Sequence, residues 1–323
     1  MMTTNWTEAY EAIQRAQTIL VVTHVSPDGD AIGSLLGAAN ALRALGKHVD
    51  AAVDGGVPAF LDFLPNAHLI NAMLNDGTWD VMLSVDASDE ERTGEVGAYG
   101  RAHSQTVINL DHHATNTGFG HIHLVSPQAA SATEVLYEWF TRVGVPIDME
   151  SAVPLMTGLV TDTLGFRTSA VTPRTLEIAQ ALMQRGVSLT DLIARTLETM
   201  AYSTLTLWTR ALNTLSLERG VTWVSLTLED YAQAGTDDDA GLSGFLVRVK
   251  EAVVSVVFTE KPEGKVNISM RAKQGYDVAR VALALGGGGH KPAAGATVSG
   301  TLDEVRARVL PMLFDVVQQG NPN

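Results

Sequence analysis

Four short segments of this 323-residue chain contain aspartates and histidines suited to binding divalent metal ions. In chain order they are His24-Val-Ser-Pro-Asp28-Gly-Asp30, Asp86, Asp111-His112-His113 and Asp162. Gathered in one site, the carboxylates would repel one another, which raises their pKa values and opposes folding. Two divalent cations would neutralise that charge, and imidazoles among the carboxylates favour Mn²⁺ over an all-oxygen magnesium site. Two such ions can activate a water and stabilise phosphoryl oxygens, so the predicted chemistry is phosphoester hydrolysis.

Each segment alone has an ordinary structural explanation. Pro27-Asp28-Gly29-Asp30 is typical of a turn followed by a helix N-cap, and an aspartate that follows a strand, such as Asp86, usually caps a turn. Adjacent histidines are more often partly buried side chains than metal ligands, and Asp162 could simply end a helix. The prediction of a metal site therefore depends on all four segments occurring together.

Three of the four segments come directly after predicted strands. These strands cover residues 18–23, 80–85 and 106–110, and a helix is predicted from Ala31 to Leu45. The alternation of strands and helices indicates a parallel sheet covered by helices. Because ligands bind beyond the carboxyl ends of the strands in such a sheet, the polar residues should meet at one rim. Asp162 lies late in a further helix, predicted over residues 151–163.

The second half of the chain has a different pattern. Residues 173–212 are almost wholly helical in pattern, and shorter elements follow. They are strands at 215–217, 221–226, 253–259 and 266–271, and helices near 241–250, 277–285 and 302–318. We therefore expect an α/β protein with a parallel-sheet catalytic domain (residues 1–189), a helical connector (190–213) and a smaller mixed α/β domain (214–323).

Composition limits the function classes. The chain has no cysteine, which excludes disulfides, thiolate-bound zinc, iron–sulfur clusters and a cysteine nucleophile. Its net charge of −14 argues against coating long nucleic acids, because that affinity depends on many Lys and Arg contacts. No apolar run reaches the roughly 18–20 residues that cross a bilayer, and the first six residues contain no secretory pattern. We therefore expect a cytoplasmic location and no membrane partner.

A glycine-rich segment, Gly286-Gly-Gly-Gly-His290-Lys-Pro-Ala-Ala-Gly295, follows an apolar helical pattern near the end of the chain. Alone it could be a helix C-cap with a loose loop. Alternatively, the glycines let backbone N–H groups approach an anion, with His290 and Lys291 adding charge. Arg271, at the end of a predicted strand, is a further candidate for binding a phosphate, although a solvated arginine is equally ordinary there.

The motifs resemble those of the DHH superfamily of phosphoesterases. The resemblance rests on the order of the four acidic and histidine segments and on the Gly286-to-Gly295 segment, which is similar to the glycine-rich motif of the DHH-associated C-terminal domain. It covers most of the chain. It implies a catalytic domain that binds two divalent ions, with Mn²⁺ as the implied metal, and a second domain that binds the substrate.

The resemblance also implies a role for each residue. His24 and Asp28 would bind one manganese ion, Asp30 and His112 the other, while Asp86 would bridge the two and Asp162 would complete the cluster. Asp111 would orient His112, and His113 would face the scissile phosphate. Across a cleft, the second domain would bind the substrate through Arg271, Gly287, Gly288, Gly289 and His290. One departure is Leu164, since relatives often have glycine directly after the Thr161-Asp162-Thr163 triplet.

Within the superfamily the NrnA type is the most similar. It implies hydrolysis of very short RNAs and dinucleotides to mononucleotides, and of 3′-phosphoadenosine 5′-phosphate. A phosphodiesterase for cyclic di-AMP or linear pApA in signalling is the closest alternative. A RecJ-like exonuclease is disfavoured because no further nucleic-acid-binding module is visible, and a pyrophosphatase because it resembles the glycine-rich segment poorly.

An alternative of another class is a catalytically silent nucleotide-binding regulator. A missing metal ligand would favour it, and none is missing. We therefore expect short RNA or small nucleotides as partners, and no long duplex nucleic acid. The sequence leaves the physiological substrate, the polarity of attack, the metal and the oligomeric state open.

Overall fold

The chain forms two compact units, Met1–Thr199 and Met200–Asn323. The fold is taken from a computed structural model, and the structure describes residues 5–239 and 241–320. The first four residues, which entered the localisation argument, lie outside this range. The boundary between the units falls within the predicted connector, residues 190–213. The exact limits of the predicted domains and of the connector stay a prediction. Within the described residues, no helix combines the length and the apolar character that a membrane span requires.

The first unit is built on a six-stranded sheet in which every strand pair is parallel. The strands are β1 (Thr18–Val22), β2 (His48–Ala52), β3 (Ile70–Asn71), β4 (Trp79–Val85), β5 (Ser104–Asp111) and β6 (Ile122–Val125). Their order is β3-β2-β1-β4-β5-β6. In this doubly wound order the chain changes direction between β1 and β4, and ligands bind at the carboxyl ends of strands around that point.

Helices cover the sheet and reach the same rim. They are α1 (Trp6–Arg15), α2 (Gly29–Ala44), α3 (Gly94–Ala102), α4 (Ala132–Val143), α5 (Met149–Asp162), α6 (Pro173–Gln184) and α7 (Leu189–Ile193), with a π-helical turn at Ala194–Glu198. Helix α2 begins earlier than predicted because the Asp28 side chain accepts hydrogen bonds from the backbone N–H groups of Asp30 and Ala31. This cap fixes Asp30 in the first turn of α2.

Glycines bring α2 and α5 unusually close together. A Cβ atom at Gly33 would lie 2.6 Å from the carbonyl oxygen of Pro154, and one at Gly158 would lie 2.6 Å from Oδ1 of Asp30. These distances are shorter than any real Cβ contact, so only glycine permits this packing. The close approach places the beginning of α2, with Asp30, beside the end of α5, with Asp162.

The second unit is a six-stranded mixed sheet with helices. Its elements are α8 (Tyr202–Leu212), β7 (Ser216–Glu218), β8 (Val221–Leu226), α9 (Leu228–Ala234), α10 (Leu242–Leu246), β9 (Val254–Lys261), β10 (Lys265–Ala272), α11 (Ala279–Ala284), β11 (Gly288–His290), β12 (Ala293–Ser299) and α12 (Leu302–Gln319). The strand order is β11-β12-β10-β9-β8-β7, and only β8 and β9 pair in parallel.

The predicted fold class is confirmed: a parallel-sheet α/β unit is followed by a mixed α/β unit. The predicted hairpin is the antiparallel pair β9–β10. One local prediction was wrong, because the helix expected over residues 241–250 is limited to Leu242–Leu246. The glycine segment contains a short edge strand, Gly288–His290.

Candidate metal centre

One contact of the site is between a residue that follows β1 and a residue that follows β4. These are the neighbouring strands at which the direction of the chain across the sheet changes. His24 comes just after β1, and Asp86 directly follows β4. The Nε2 atom of His24 lies 3.6 Å from Oδ2 of Asp86. The Nδ1 atom of His24 lies 2.9 Å from the carbonyl oxygen of Val25, which fixes the ring so that Nε2 faces the site. The strand order therefore places these two side chains side by side.

Asp86 lies at the middle of the cluster. The residue is 2% exposed and has a left-handed φ of 55°, which is uncommon for any residue but glycine. Its Oδ1 atom is 3.6 Å from Nε2 of His112 and, although buried, has no hydrogen-bond partner among the described residues. Burial, followed by the charges of Asp30 and Asp28, raises the pKa of Asp86 well above its ordinary value. An unpartnered buried carboxylate oxygen between two imidazoles fits a ligand of a cation.

The remaining side chains form a group on each side of Asp86. His24, Asp28 and Asp86 have ligand atoms that all lie within 4.8 Å of one another, and so do Asp30, His112 and Asp162. The Nε2 atom of His112 is 3.5 Å from Oδ2 of Asp162 and 3.9 Å from Oδ2 of Asp30. The structure thus brings together all six residues that the sequence indicated as metal ligands, while their binding of metal stays a prediction.

Asp30 is held by the beginning of α4. Its carboxylate accepts hydrogen bonds from the backbone N–H of Ala132 (2.6 Å), the backbone N–H of Thr133 (3.1 Å) and the Thr133 hydroxyl (2.9 Å). Burial nevertheless raises the pKa of Asp30, despite the opposing effects of His112 and these backbone donors. Sequence reasoning missed this contact, although Ser131, which caps α4 through its side chain, is a helix-start signal in the sequence.

Asp162 ends α5 and joins the cluster from that helix. Burial, and then the negative charges of Asp30 and Asp28, raise the pKa of Asp162 to about 8. A carboxylate in this setting requires either a proton or a cation at neutral pH. The electrostatics of the site therefore favour divalent ions, as expected for a carboxylate-rich metal centre.

The hydrogen bonds of Asp111 differ from our expectation. We predicted that Asp111 orients His112, but its Oδ1 accepts from Nδ1 of His113 (2.8 Å) and its Oδ2 from the side-chain amide of Asn116 (2.6 Å). Residues two apart in an extended chain point to the same side, which explains why Asp111 reaches His113 and not its direct neighbour. This hydrogen bond raises the pKa of His113. Asn116, which also donates to the carbonyl oxygen of Ala87 (3.2 Å), was missed.

In the second unit, Arg271 and His290 lie on one face of the sheet. Arg271 of β10 stands opposite Ala293 of β12, and Ala293 stands opposite His290 of β11. Directly paired residues point to the same face, so the two side chains project together, with backbones two strand spacings, roughly 10 Å, apart. Ala293, which stands between them in the register, contributes only a methyl group to this face.

The glycines of this segment have different surroundings. A Cβ atom would lie 2.1 Å from the carbonyl oxygen of Gly295 if placed at Gly287, and 2.6 Å from that of Ala293 if placed at Gly289. Both glycines are therefore needed because the backbone of β12 lies too close to them for any side chain. A Cβ at Gly286 or at Gly288 would meet no atom within 4 Å, so both positions open onto free space. The substrate-binding role predicted for Gly287, Gly288 and Gly289 stays a prediction.

Comparisons with known proteins agree with this geometry. The model for the DHH family N-terminal domain matches residues 18–159, and that for the DHHA1 domain matches residues 231–319. The chain is 38% identical over 296 residues to the bifunctional oligoribonuclease and PAP phosphatase NrnA of Thermus thermophilus, with 90% of this chain and 88% of that protein covered. The chain belongs to the DHH family.

Two further DHH family relatives show how far the likeness extends. The bifunctional oligoribonuclease and PAP phosphatase NrnA of Bacillus subtilis is 26% identical, over 90% of this chain and 93% of that protein. The crystal structure of an exopolyphosphatase-related protein from Bacteroides fragilis superposes with a TM-score of 0.88 at 26% identity, covering 97% of both chains. Both units are therefore shared with these relatives.

One loop departs from the DHH family pattern that we expected. Leu164, Gly165 and Phe166 have consecutive left-handed φ angles of 51°, 70° and 64°. Leu164 thus adopts the conformation that glycine accepts most easily, and it does so with 51% exposure. The departure changes the side chain two residues after Asp162 and leaves Asp162 itself within its cluster.

Proposed function

We propose that this chain is a metal-dependent phosphoesterase that hydrolyses very short RNAs to mononucleotides and dephosphorylates 3′-phosphoadenosine 5′-phosphate. The observation that carries the proposal is the buried, unpartnered Oδ1 of Asp86, in a carboxylate that has the imidazoles of His24 and His112 each at 3.6 Å. The substrate class is supported by the Thermus relative, which is named as a bifunctional oligoribonuclease and PAP phosphatase.

Two divalent cations would be held by the six clustered side chains. His24 and Asp28 would hold one, Asp30, His112 and Asp162 the other, and Asp86 would serve both. When bound, such a pair supplies Lewis acidity that activates water and neutralises charge on a transferring phosphoryl group. We propose Mn²⁺ because the site mixes two imidazoles with carboxylates.

His113 is the residue that we propose to contact the scissile phosphate. Asp111 accepts a hydrogen bond from Nδ1, so the ring is oriented and Nε2 is left to donate to a phosphate oxygen. The same bond favours the protonated imidazole, which is a better partner for an anion than the neutral ring. Asn116 holds the other oxygen of Asp111, so the pair is fixed before substrate binds.

We further propose that the second unit binds another part of the substrate. Arg271 and His290 project from the same sheet face, and Gly288 leaves open space at its edge. A guanidinium with a neighbouring imidazole is suited to a terminal phosphate. A requirement for two anchoring points would favour very short substrates over long strands.

The proposal is tested with protein stripped of metal by EDTA and resupplied with Mn²⁺. The substrates are RNA dimers to 24-mers, pApA, cyclic di-AMP, 3′-phosphoadenosine 5′-phosphate and pyrophosphate. We expect the dimers and 3′-phosphoadenosine 5′-phosphate to be hydrolysed fastest, and only when metal is added. Faster hydrolysis of cyclic di-AMP would assign the enzyme to signalling, and a preference for long single-stranded DNA would contradict the proposal.

Asp86→Asn tests the residue at the centre of the proposal. It preserves the shape of the side chain and removes its charge, so metal-dependent turnover should be lost. Asp76→Asn is the matched control, because Asp76 is an exposed aspartate of the same unit outside the metal centre. Full activity of Asp86→Asn would show that this cluster does not form the active site.

A further inference from the structure

The metal centre is surrounded by carboxylates, so an anionic substrate requires a nearby cation that is not already neutralised. Arg92 of the first unit is such a cation. It lies in the loop that follows β4, within a helical turn at Glu91–Thr93 that leads into α3. Neither the metal ligands nor the substrate residues considered above include it.

The backbone of Arg92 is fixed against the site. Its carbonyl oxygen accepts a hydrogen bond of 2.7 Å from the N–H of Val25, the residue directly after His24. Its own N–H donates to Oδ1 of Asp89 at 2.9 Å. Arg92 is therefore attached to the segment between β1 and α2 that contributes His24 and Asp28.

The loop between Asp86 and Arg92 is also tied to the residues after β5. The carbonyl oxygen of Ala87 accepts hydrogen bonds from the side-chain amides of Asn109 (3.1 Å) and Asn116 (3.2 Å), and that of Ser88 accepts from the N–H of Thr117 (2.8 Å). Because both ends of this loop are bonded to ligand-bearing segments, it holds Arg92 in a defined position before any substrate binds.

The guanidinium of Arg92 has no ion pair or hydrogen bond in the part of the chain that the structure describes, and the residue is exposed. By contrast, the exposed guanidinium of Arg174 pairs with Glu138 and Glu177. Since the backbone of Arg92 is bonded to the residue next to His24, this unpaired charge belongs to a residue that borders the metal centre.

We infer that Arg92 is a phosphate-binding residue of the active site, whose guanidinium donates hydrogen bonds to a substrate phosphate at the metal centre. The inference rests on the proposed function. The planar fork of an arginine binds two phosphate oxygens at once, and an unpaired guanidinium loses no existing partner when it does so. Arg92 would therefore add affinity for the anion without adding a metal ligand.

Arg92→Ala and Arg92→Lys test this role with the full-length, Mn²⁺-loaded protein. We expect KM for the RNA dimer and for 3′-phosphoadenosine 5′-phosphate to rise about 10- to 100-fold in Arg92→Ala, the size of one lost charge-assisted contact. Arg92→Lys should recover part of the loss. The affinity for the product AMP, measured by calorimetry, should fall by a similar factor, whereas the affinity for Mn²⁺ should not change.

Arg174→Ala is the matched control, because it removes an exposed arginine of the same unit that already has carboxylate partners. It should leave KM and AMP affinity unchanged. Wild-type KM and AMP affinity in Arg92→Ala would overturn the inference, and so would a parallel loss of Mn²⁺ affinity, which would place Arg92 in support of the metal ligands. If the wild-type protein hydrolyses neither substrate, the proposed function fails, while AMP binding by the variants still decides the role of Arg92.

Discussion

At the scale of single residues, the two histidines of Asp111-His112-His113 have different partners. His112 faces Asp30, Asp86 and Asp162, whereas His113 is bonded to Asp111. Burial alone would raise the pKa of Asp111, but its contacts with His113 and Asn116 bring it below the ordinary value. Asp111 is therefore a stable anion that supports a protonated His113.

Replacing Asp111 with asparagine should lower the pKa of His113, because the charge that favours the imidazolium is removed while the side-chain shape is retained. We expect kcat to fall by roughly 10- to 100-fold, as for the loss of a residue that orients another side chain of the site. The pKa is measured by NMR titration of the metal-free protein, with Asp76→Asn as the control. An unchanged His113 pKa would mean that Asp111 does not set its protonation.

The metal-centre residues could be predicted from sequence because their types are unusual together and because strand ends meet at one rim. The partner of Asp111 could not, since it depends on the direction of the backbone beyond β5. Asn116 and Arg92 were missed for a related reason. Hydrogen bonds between loops fix both residues, Asn116 to Ala87 and Arg92 to Val25, and no periodic pattern in the sequence predicts such bonds.

At the scale of elements, the packing of α2 against α5 sets the distance between two parts of the metal centre. A side chain at Gly158 would collide with Cγ2 of Thr133 at 2.4 Å as well as with Asp30. Thr133 in turn holds the Asp30 carboxylate through its backbone N–H and its hydroxyl. One glycine thus controls both the helix spacing and the orientation of a predicted ligand.

Gly158→Ala should therefore weaken Mn²⁺ binding and lower the free energy of unfolding by about 1–3 kcal/mol, the usual effect of overpacking. Gly244→Ala is a suitable control, because a Cβ atom there meets nothing within 4 Å and alanine is favoured in helices. Calorimetric Mn²⁺ titration and denaturant unfolding measure the two effects. Equal behaviour of the two variants would show that the helix contact tolerates a methyl group.

The elements themselves could be predicted to the extent that they have clear periodicity. The long strands β4 and β5 and the helices α2 and α12 lie close to their expected positions. The short strands β3, β6 and β11 were missed because two to four residues are too few to show the alternation of apolar and polar side chains that identifies a strand. The α2–α5 contact could not be foreseen from the sequence. Gly33 and Gly158, which permit it, are distant in sequence, and only the folded structure shows that they face each other.

At the scale of the whole molecule, the raised pKa values connect metal binding with stability. In the folded, metal-free protein the pKa of Asp162 is about 8, and those of Asp30 and Asp86 are also raised, whereas unfolding returns each to near 3.8. The folded state therefore binds protons that the unfolded state releases. This contribution to stability is complete below pH 3.8 and is lost as the pH rises towards 8.

The metal-free protein should consequently have a lower Tm at about pH 8.5 than at about pH 6. Saturating Mn²⁺ should raise Tm and reduce the difference, because the ions replace the protons and bind only the folded state. Thermal unfolding followed by circular dichroism, with EDTA or with Mn²⁺, measures both effects. Asp162→Asn should flatten the metal-free dependence, and a Tm that rises between the two pH values would contradict this account.

The doubly wound strand order has a consequence for the nascent chain. The predicted ligands begin just after β1 and end with Asp162, so no shorter stretch of the growing polypeptide contains both halves of the metal centre. Emergence of α5 from the ribosome is the last event that the centre requires. Until then the earlier strands can pair, but the set of predicted ligands is incomplete, and capture of metal would report that the first unit has folded as far as α5.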